Sequence, residues 1–259
     1  MREHNPLYLD AVGDGEPLVL LHGWGMHSGI WDDFADKLAV DYKVIKIDLP
    51  GHGNSHGTCP LSLQQTVDQL LKQLPPVAHY LGWSLGGSVL MQLADMAPER
   101  VRSMTLLTAN PCFVQKEDWQ TAMHKKVLLQ FAEALQQDYR KTLLQFIALQ
   151  TLSSERSKAS LRQLRDVLFS RGEPETRALQ QGLDILLQAD LRDKLLNSGL
   201  PILVILGERD QLVPASVADF FRTITDNRRV KVIPAAGHVP FVSHQSETLA
   251  EVKGFLENV

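Results

Sequence analysis

Short apolar runs separated by stretches of helical periodicity constrain the fold of this chain more than any other feature. The runs are residues 17–21 (PLVLL), 42–47 (YKVIKI), 77–81 (VAHYL), 101–108 (VRSMTLLT), 201–206 (PILVIL) and 230–233 (VKVI). Several are nearly uninterrupted in Val, Ile and Leu, the pattern of strands covered by helices on both faces. Helical patterns occupy residues 29–38, 63–73, 85–96, 216–224 and 246–257. This alternation predicts an α/β fold with a mostly parallel central sheet flanked by helices. It breaks once. From Cys112 to about Leu191 the chain is helix-like throughout (KKVLLQFAEALQQ, RKTLLQFIALQ, ASLRQLRDVL), and strand-helix alternation then resumes. A helical cap inserted into one core explains this, because the chain must return to finish the sheet. The expected division is a core of residues 1–112 and 191–259 with a cap of residues 113–190.

Composition narrows the classes of function. The 259 residues are 44% hydrophobic and 22% charged, values of a globular domain large enough to hold a core without disulfides or metals. A formal charge of −4 gives no general attraction to nucleic acid or anionic lipid, so no nucleic-acid or membrane partner is expected. Cys59 and Cys112 form no CxxC pair, which argues against a zinc site or disulfide scaffold and suits a reducing compartment. The first residues lack a signal-like apolar run, and no stretch approaches the roughly 20 apolar residues of a membrane span. The expectation is a cytoplasmic monomer.

The chemistry begins at Gly82-Trp83-Ser84-Leu85-Gly86, a GxSxG sequence between the run VAHYL and the helical pattern LGGSVLMQLADMA. A serine raised on a sharp strand-to-helix turn needs little bulk two residues to either side. Its hydroxyl becomes a useful nucleophile only when an imidazole accepts its proton and a carboxylate orients that imidazole. His238, in PAAGH after the last apolar run, is the expected base. Asp210, in GERD after the run PILVIL, is the expected acid, with Glu208 its nearest competitor. His244 lies at the expected start of the final helix, as a polar cap or a lesser candidate base. His22-Gly23-Trp24-Gly25 follows the first run and can supply a backbone N–H from Trp24 to an oxyanion hole, opposite the N–H of Leu85. No histidine spacing matches a metal motif, and no cofactor or metal is expected.

With LHGWG, DLPGHGNS, GWSLGG, GERDQLVP and AAGHVPF in this order, the chain resembles the α/β-hydrolase superfamily along its whole length. HGWG paired with GWSLGG, the segments NPCF, FIALQT and GLDIL, and GHVPFVSH are similar to the biotin-pathway esterases that demethylate pimeloyl-acyl-carrier-protein methyl ester. The resemblance implies that the substrate is held by Trp24, Ser84, Leu85, His238 and a cap segment of Phe146, Ile147, Ala148, Leu149 and Gln150. It also implies that the cap contacts an acyl carrier protein bearing a phosphopantetheine-linked acyl chain, through Lys141, Gln145, Lys158 and Arg162. Gln145 stands where the family pattern has an arginine, so one contact is weakened.

Charge supports such a partner independently, because residues 139–171 hold seven basic and two acidic side chains in a negatively charged chain. A helix over residues 156–168 would align Lys158, Arg162 and Arg165 beside an apolar stripe of Leu161, Leu164, Val167 and Leu168. Phe131 belongs either to the cap's own core or to an acyl tunnel, whereas the resemblance assigns Phe146 to the tunnel. The reading is a serine carboxylic-ester hydrolase acting on pimeloyl-carrier methyl ester through an acyl-enzyme. A general short-chain carboxylesterase or a C–C bond hydrolase of the same fold is the alternative, and a noncatalytic ligand receptor is the remote one.

Overall fold

The computed structural model describes residues 6–57, 61–151, 157–224 and 228–259, so Cys59 and Arg156 lie outside the described residues. The first elements are Leu9–Val12 (β1), Glu16–Leu21 (β2), Asp32–Leu38 (α1, entered from a 3-10 turn at Ser28–Trp31) and Tyr42–Ile47 (β3). Leu63–Leu71 (α2), Ala78–Trp83 (β4), Leu85–Met96 (α3) and Val101–Leu107 (β5) follow. A helical excursion then runs through Lys125–Gln137 (α4), Tyr139–Thr151 (α5), Ser157–Leu168 (α6), Thr176–Gln188 (α7) and Arg192–Leu196 (α8). The chain ends with Ile202–Gly207 (β6), Val217–Thr223 (α9), Arg228–Ile233 (β7), Pro240–Ser243 (α10) and Gln245–Leu256 (α11).

The strands form one sheet in the order β1-β3-β2-β4-β5-β6-β7, with β1 antiparallel to β3 and every other neighbour pair parallel. All six predicted strands are present. Every residue of β4 and β6 is buried, as their runs of apolar residues require. Strand β1 escaped the sequence reading because four residues, only partly buried at the sheet edge and followed by Gly13 and Gly15, carry neither an apolar run nor a clean alternation. Lys46 fastens this edge, bridging Asp10 of β1 at 2.9 Å and Asp32 of α1 at 2.6 Å.

After β2 the chain moves outward to β3, then crosses back to lay β4 on the other side of β2. In an open α/β sheet such a reversal leaves a crevice beyond the carboxyl ends of the two strands. The register pairs Leu21 with Gly82, so the loop after β2 and the turn after β4 leave the sheet at the same level. The excursion between β5 and β6 closes at its neck, where the Leu191 N–H donates to the Pro111 carbonyl at 2.8 Å.

The turn after β4 is possible only without side chains at its flanks. A Cβ on Gly82 would sit 2.5 Å from the Gly86 carbonyl oxygen, and one on Gly86 would overlap the Leu21 carbonyl oxygen. Backbone atoms cannot yield as a flexible side chain can. Gly86→Ala is therefore expected to cost about 1–3 kcal/mol of stability, read as a lower denaturant midpoint with an unchanged slope. An unchanged midpoint would contradict the close approach.

Candidate active site

Ser84 occupies the turn between β4 and α3 with φ 53° and ψ −117°, a conformation that costs a non-glycine residue about 1–3 kcal/mol. Its N–H donates to the Leu107 carbonyl at 3.1 Å, which fastens the turn to the end of β5. Asp210 and His238 come from the loops after β6 and β7, and all three side chains are buried.

His238 is held on almost every side. Its Nδ1 lies 2.7 Å from Asp210 Oδ2. Its N–H donates to the Gln150 carbonyl at 3.1 Å, and its carbonyl accepts from Trp83 Nε1 and Thr108 Oγ1, each at 2.9 Å. Asp210 is equally fixed, its Oδ1 accepting from the N–H groups of Leu212 at 2.8 Å and Val213 at 3.1 Å. A carboxylate can only accept, so the Nδ1 proton points to Asp210 and Nε2 presents a bare lone pair. That Nε2 is buried and has no hydrogen-bond partner. The carboxylate–imidazole contact expected from the sequence is made, whereas Ser84 Oγ donates no hydrogen bond to Nε2. In unliganded sites this bond is commonly long and tightens when substrate binds. Glu208 does not compete for the imidazole, because its Oε2 accepts from the Ala235 N–H.

Leu85 is the first residue of α3, so its N–H has no acceptor within the helix and lies at the positive end of the helix dipole. The Trp24 N–H, in the loop after β2, likewise has no acceptor among the described residues. Beneath this loop lies a buried group that motif reading treated only as turn-forming. His22 Nδ1 donates to the Gly23 carbonyl at 2.8 Å and Nε2 accepts from the Leu49 N–H at 2.9 Å, tying the Trp24 loop to the segment after β3. Burial pushes the His22 ring well below the usual histidine range, so it stays neutral in both roles. His52 packs against it with ring centroids 5.3 Å apart, donates Nδ1–H to the Pro50 carbonyl, and is pushed down to about 4 by burial. His244 stands at the start of α11 as expected, but its Nδ1 pairs with Ser243 Oγ at 2.9 Å and its side chain makes no cap hydrogen bond.

Above the crevice, three aromatic rings run from the Trp24 loop into the helical excursion. Trp24 meets Phe146 edge-on at 4.7 Å and Phe146 meets Phe131 edge-on at 5.3 Å, while Trp24 Nε1 donates to the Leu179 carbonyl at 2.8 Å. Phe146, Ile147 and Gln150 are buried, whereas Phe131, Ala148 and Leu149 are half-buried. Phe131 thus continues the file of rings from one helix of the excursion to the next. The basic residues sort into two groups. Lys141 and Gln145, one turn apart on α5, and Lys158, Arg162 and Arg165 on α6 are exposed and form no ion pairs among the described residues. Arg140 pairs instead with Glu173 over the Phe169 ring, and Arg171 donates to Ser28 Oγ at 2.6 Å, 3.7 Å from Asp32. Arg162 also borders a groove with Asp32, Asp33 and Asp166, so its surroundings are less uniformly basic than counting charges implied. Leu164 and Leu168 are buried as the apolar stripe predicts.

Trp83, Thr108 and Asp48 were not singled out from the sequence. The first two hold the His238 carbonyl, and the Asp48 carboxylate accepts from the N–H groups of Ser28 at 2.6 Å and Asn54 at 2.8 Å. Trp83 lies inside the GWSLG motif, which was its one visible signal, whereas the partners of Thr108 and Asp48 are set by long-range packing.

The sequence matches the family described as alpha/beta hydrolase fold over residues 16–245. It is 41% identical to a pimeloyl-[acyl-carrier protein] methyl ester esterase of Xylella fastidiosa (strain M23), over 96% of this chain and 98% of that one. It is 39% identical to the protein of the same description from Xanthomonas oryzae pv. oryzae, over 98% and 100% of the two chains. Among solved structures, an esterase from Exiguobacterium antarcticum superposes with a TM-score of 0.85 at 20% identity, covering 97% of this chain and 96% of the other. A bromoperoxidase from Bacillus anthracis gives 0.87 at 21%, covering 97% and 95%. These two structures share the fold.

The buried His52 makes stability depend on acidity. An unfolded chain binds its proton near the ordinary histidine value of about 6.5 and the folded one only near 4, so the unfolded state takes up more protons as the pH falls through that window. Stability is therefore expected to drop by about 2 kcal/mol from this residue alone between roughly pH 7 and 5. Urea unfolding of His52→Gln should show a correspondingly shallower loss. Equal losses in the two proteins would contradict a buried, neutral ring.

Proposed function

The chain belongs to the α/β-hydrolase fold family and groups with the pimeloyl-[acyl-carrier protein] methyl ester esterases, and from this we propose that it cleaves the methyl ester of a pimeloyl chain carried on an acyl carrier protein. Ser84 is the nucleophile, His238 the base and Asp210 the orienting acid. Ser84 Oγ attacks the ester carbonyl as Nε2 takes its proton, and the N–H groups of Trp24 and Leu85 receive the negative oxygen. His238 then protonates the departing methanol. Water attacks the acyl-enzyme by the reverse proton path, freeing the carboxylate and restoring Ser84. The observation that carries this reading is the unpartnered, buried Nε2 on an imidazole otherwise fully held, in the crevice that also offers two free N–H donors.

Residues 113–190 act as a cap in this reading. Phe131, Phe146, Ile147, Ala148, Leu149 and Gln150 line the path of the acyl chain, and aromatic walls suit its methylenes. The free cations Lys141, Lys158 and Arg162 face the acidic carrier and its phosphate, with Gln145 contributing hydrogen bonding only. Among the described residues no helix is long and apolar enough to cross a membrane. Cys112 is a buried free thiol, which supports a reducing, cytoplasmic setting, and the enzyme works as a monomer.

Carrier-bound and free methyl pimelate, compared at two salt concentrations, test the substrate. Release of methanol from the carrier-bound ester should be faster at low salt and should slow as salt screens the cap, while the free ester should be nearly indifferent. Lys158→Glu with Arg162→Glu should raise KM for the carrier-bound ester by roughly tenfold and leave the free ester unchanged. Intact ester after prolonged incubation, or identical kinetics for both esters, would overturn the assignment. Asp210→Asn should lower kcat by about four orders of magnitude, whereas Glu208→Gln should retain it. The opposite result would make Glu208 the acid.

A further inference from the structure

We infer that Gln150 holds the hydrolytic water that releases the acyl group from Ser84, an inference that rests on the acyl-enzyme reading above. Gln150 is 2% exposed, near the end of α5, and its side-chain Oε1 is buried without a hydrogen-bond partner. Its own carbonyl accepts the His238 N–H at 3.1 Å, so the two residues are neighbours. His238 Nε2 is the second buried acceptor here without a partner. Leaving one buried acceptor unsatisfied is costly, and two on adjacent residues at a catalytic centre call for a ligand with two donors.

A water molecule has two O–H groups. With the acyl group on Ser84, one O–H donates to His238 Nε2, which takes the proton as the water oxygen attacks the acyl carbonyl, and the other donates to Gln150 Oε1. The tetrahedral intermediate then breaks its bond to Ser84 Oγ, which recovers a proton from His238, and the carboxylic acid leaves. Acylation needs no such second acceptor, because the attacking hydroxyl of Ser84 has a single proton. The Gln150 side-chain oxygen thus supplies an acceptor that only the second half of the reaction uses, whereas the Gln150 carbonyl holds His238 throughout.

p-Nitrophenyl butyrate separates the two halves, and because it needs no carrier protein, it tests this inference apart from the choice of substrate. Gln150→Met and Gln150→Leu remove the acceptor at similar volume. Each should still acylate Ser84 and release one equivalent of p-nitrophenolate in a burst, with the burst slowed less than the turnover that follows it. Turnover should then be slower by roughly tenfold, with the butyryl group found on Ser84 by mass spectrometry. A second readout does not depend on absolute rates. Methanol added as a competing nucleophile has one O–H and needs one acceptor, so the ratio of methyl butyrate to butyrate should rise by roughly tenfold in the variants. Equal slowing of both halves, a change in KM alone, or an unchanged product ratio would overturn the role of Gln150. No acylation of Ser84 in the unmodified enzyme would instead overturn the esterase reading and this inference with it.

Discussion

The hydrogen bonding of His238 is the constraint from which the site follows. Its N–H, carbonyl and Nδ1 are bonded to Gln150, to Trp83 and Thr108, and to Asp210. Only Nε2 is left. In the proposed reaction, preorganisation of this kind places the basic atom before substrate arrives, so little reordering is required. The partners come from different parts of the chain: Trp83 ends β4, Thr108 follows β5, Asp210 follows β6, and Gln150 lies on α5. The sheet is what makes their meeting possible, because parallel strands end side by side.

The strained turn at Ser84 belongs to the same arrangement. Its backbone conformation is unfavourable on its own and is maintained by the burial of β4 and α3 around it and by the hydrogen bond to Leu107. Trp83 packs edge-on against Trp31 at 6.3 Å and against Phe241 at 5.1 Å, an aromatic cluster directly behind the imidazole. The helical excursion is tied to the same centre by main-chain contacts at His238 and by Trp24 Nε1 at Leu179. Movement of that excursion would therefore be felt by both His238 and the loop that carries Trp24.

What could be read in advance follows from the range over which each signal acts. Strands β2 to β7 and helix α3 announce themselves through local periodicity, and Ser84, Asp210 and His238 through their places just beyond strand ends. Strand β1 is too short and too exposed to leave such a trace. The contacts of His22 with Leu49, Thr108 with His238 and Asp48 with Ser28 are long-range, and nothing in the residues beside them in the chain specifies those contacts. Charge counting over residues 139–171 could not distinguish Lys158, Arg162 and Arg165, which form no ion pair among the described residues, from Arg140 and Arg171, whose charges are engaged by Glu173, Asp32 and Asp48.

The central claim is that Ser84 delivers a tetrahedral oxyanion to the N–H groups of Trp24 and Leu85 while Nε2 of His238 faces the reacting atoms. A crystal structure of the enzyme after reaction with an alkyl phosphonate tests it most directly, since the tetrahedral phosphorus imitates that intermediate. The account predicts a covalent adduct on Ser84 alone, with a phosphonyl oxygen about 2.7–3.1 Å from both N–H groups and Nε2 turned toward the departed group's position. An adduct on another residue, or a phosphonyl oxygen directed away from Trp24 and Leu85, would contradict it.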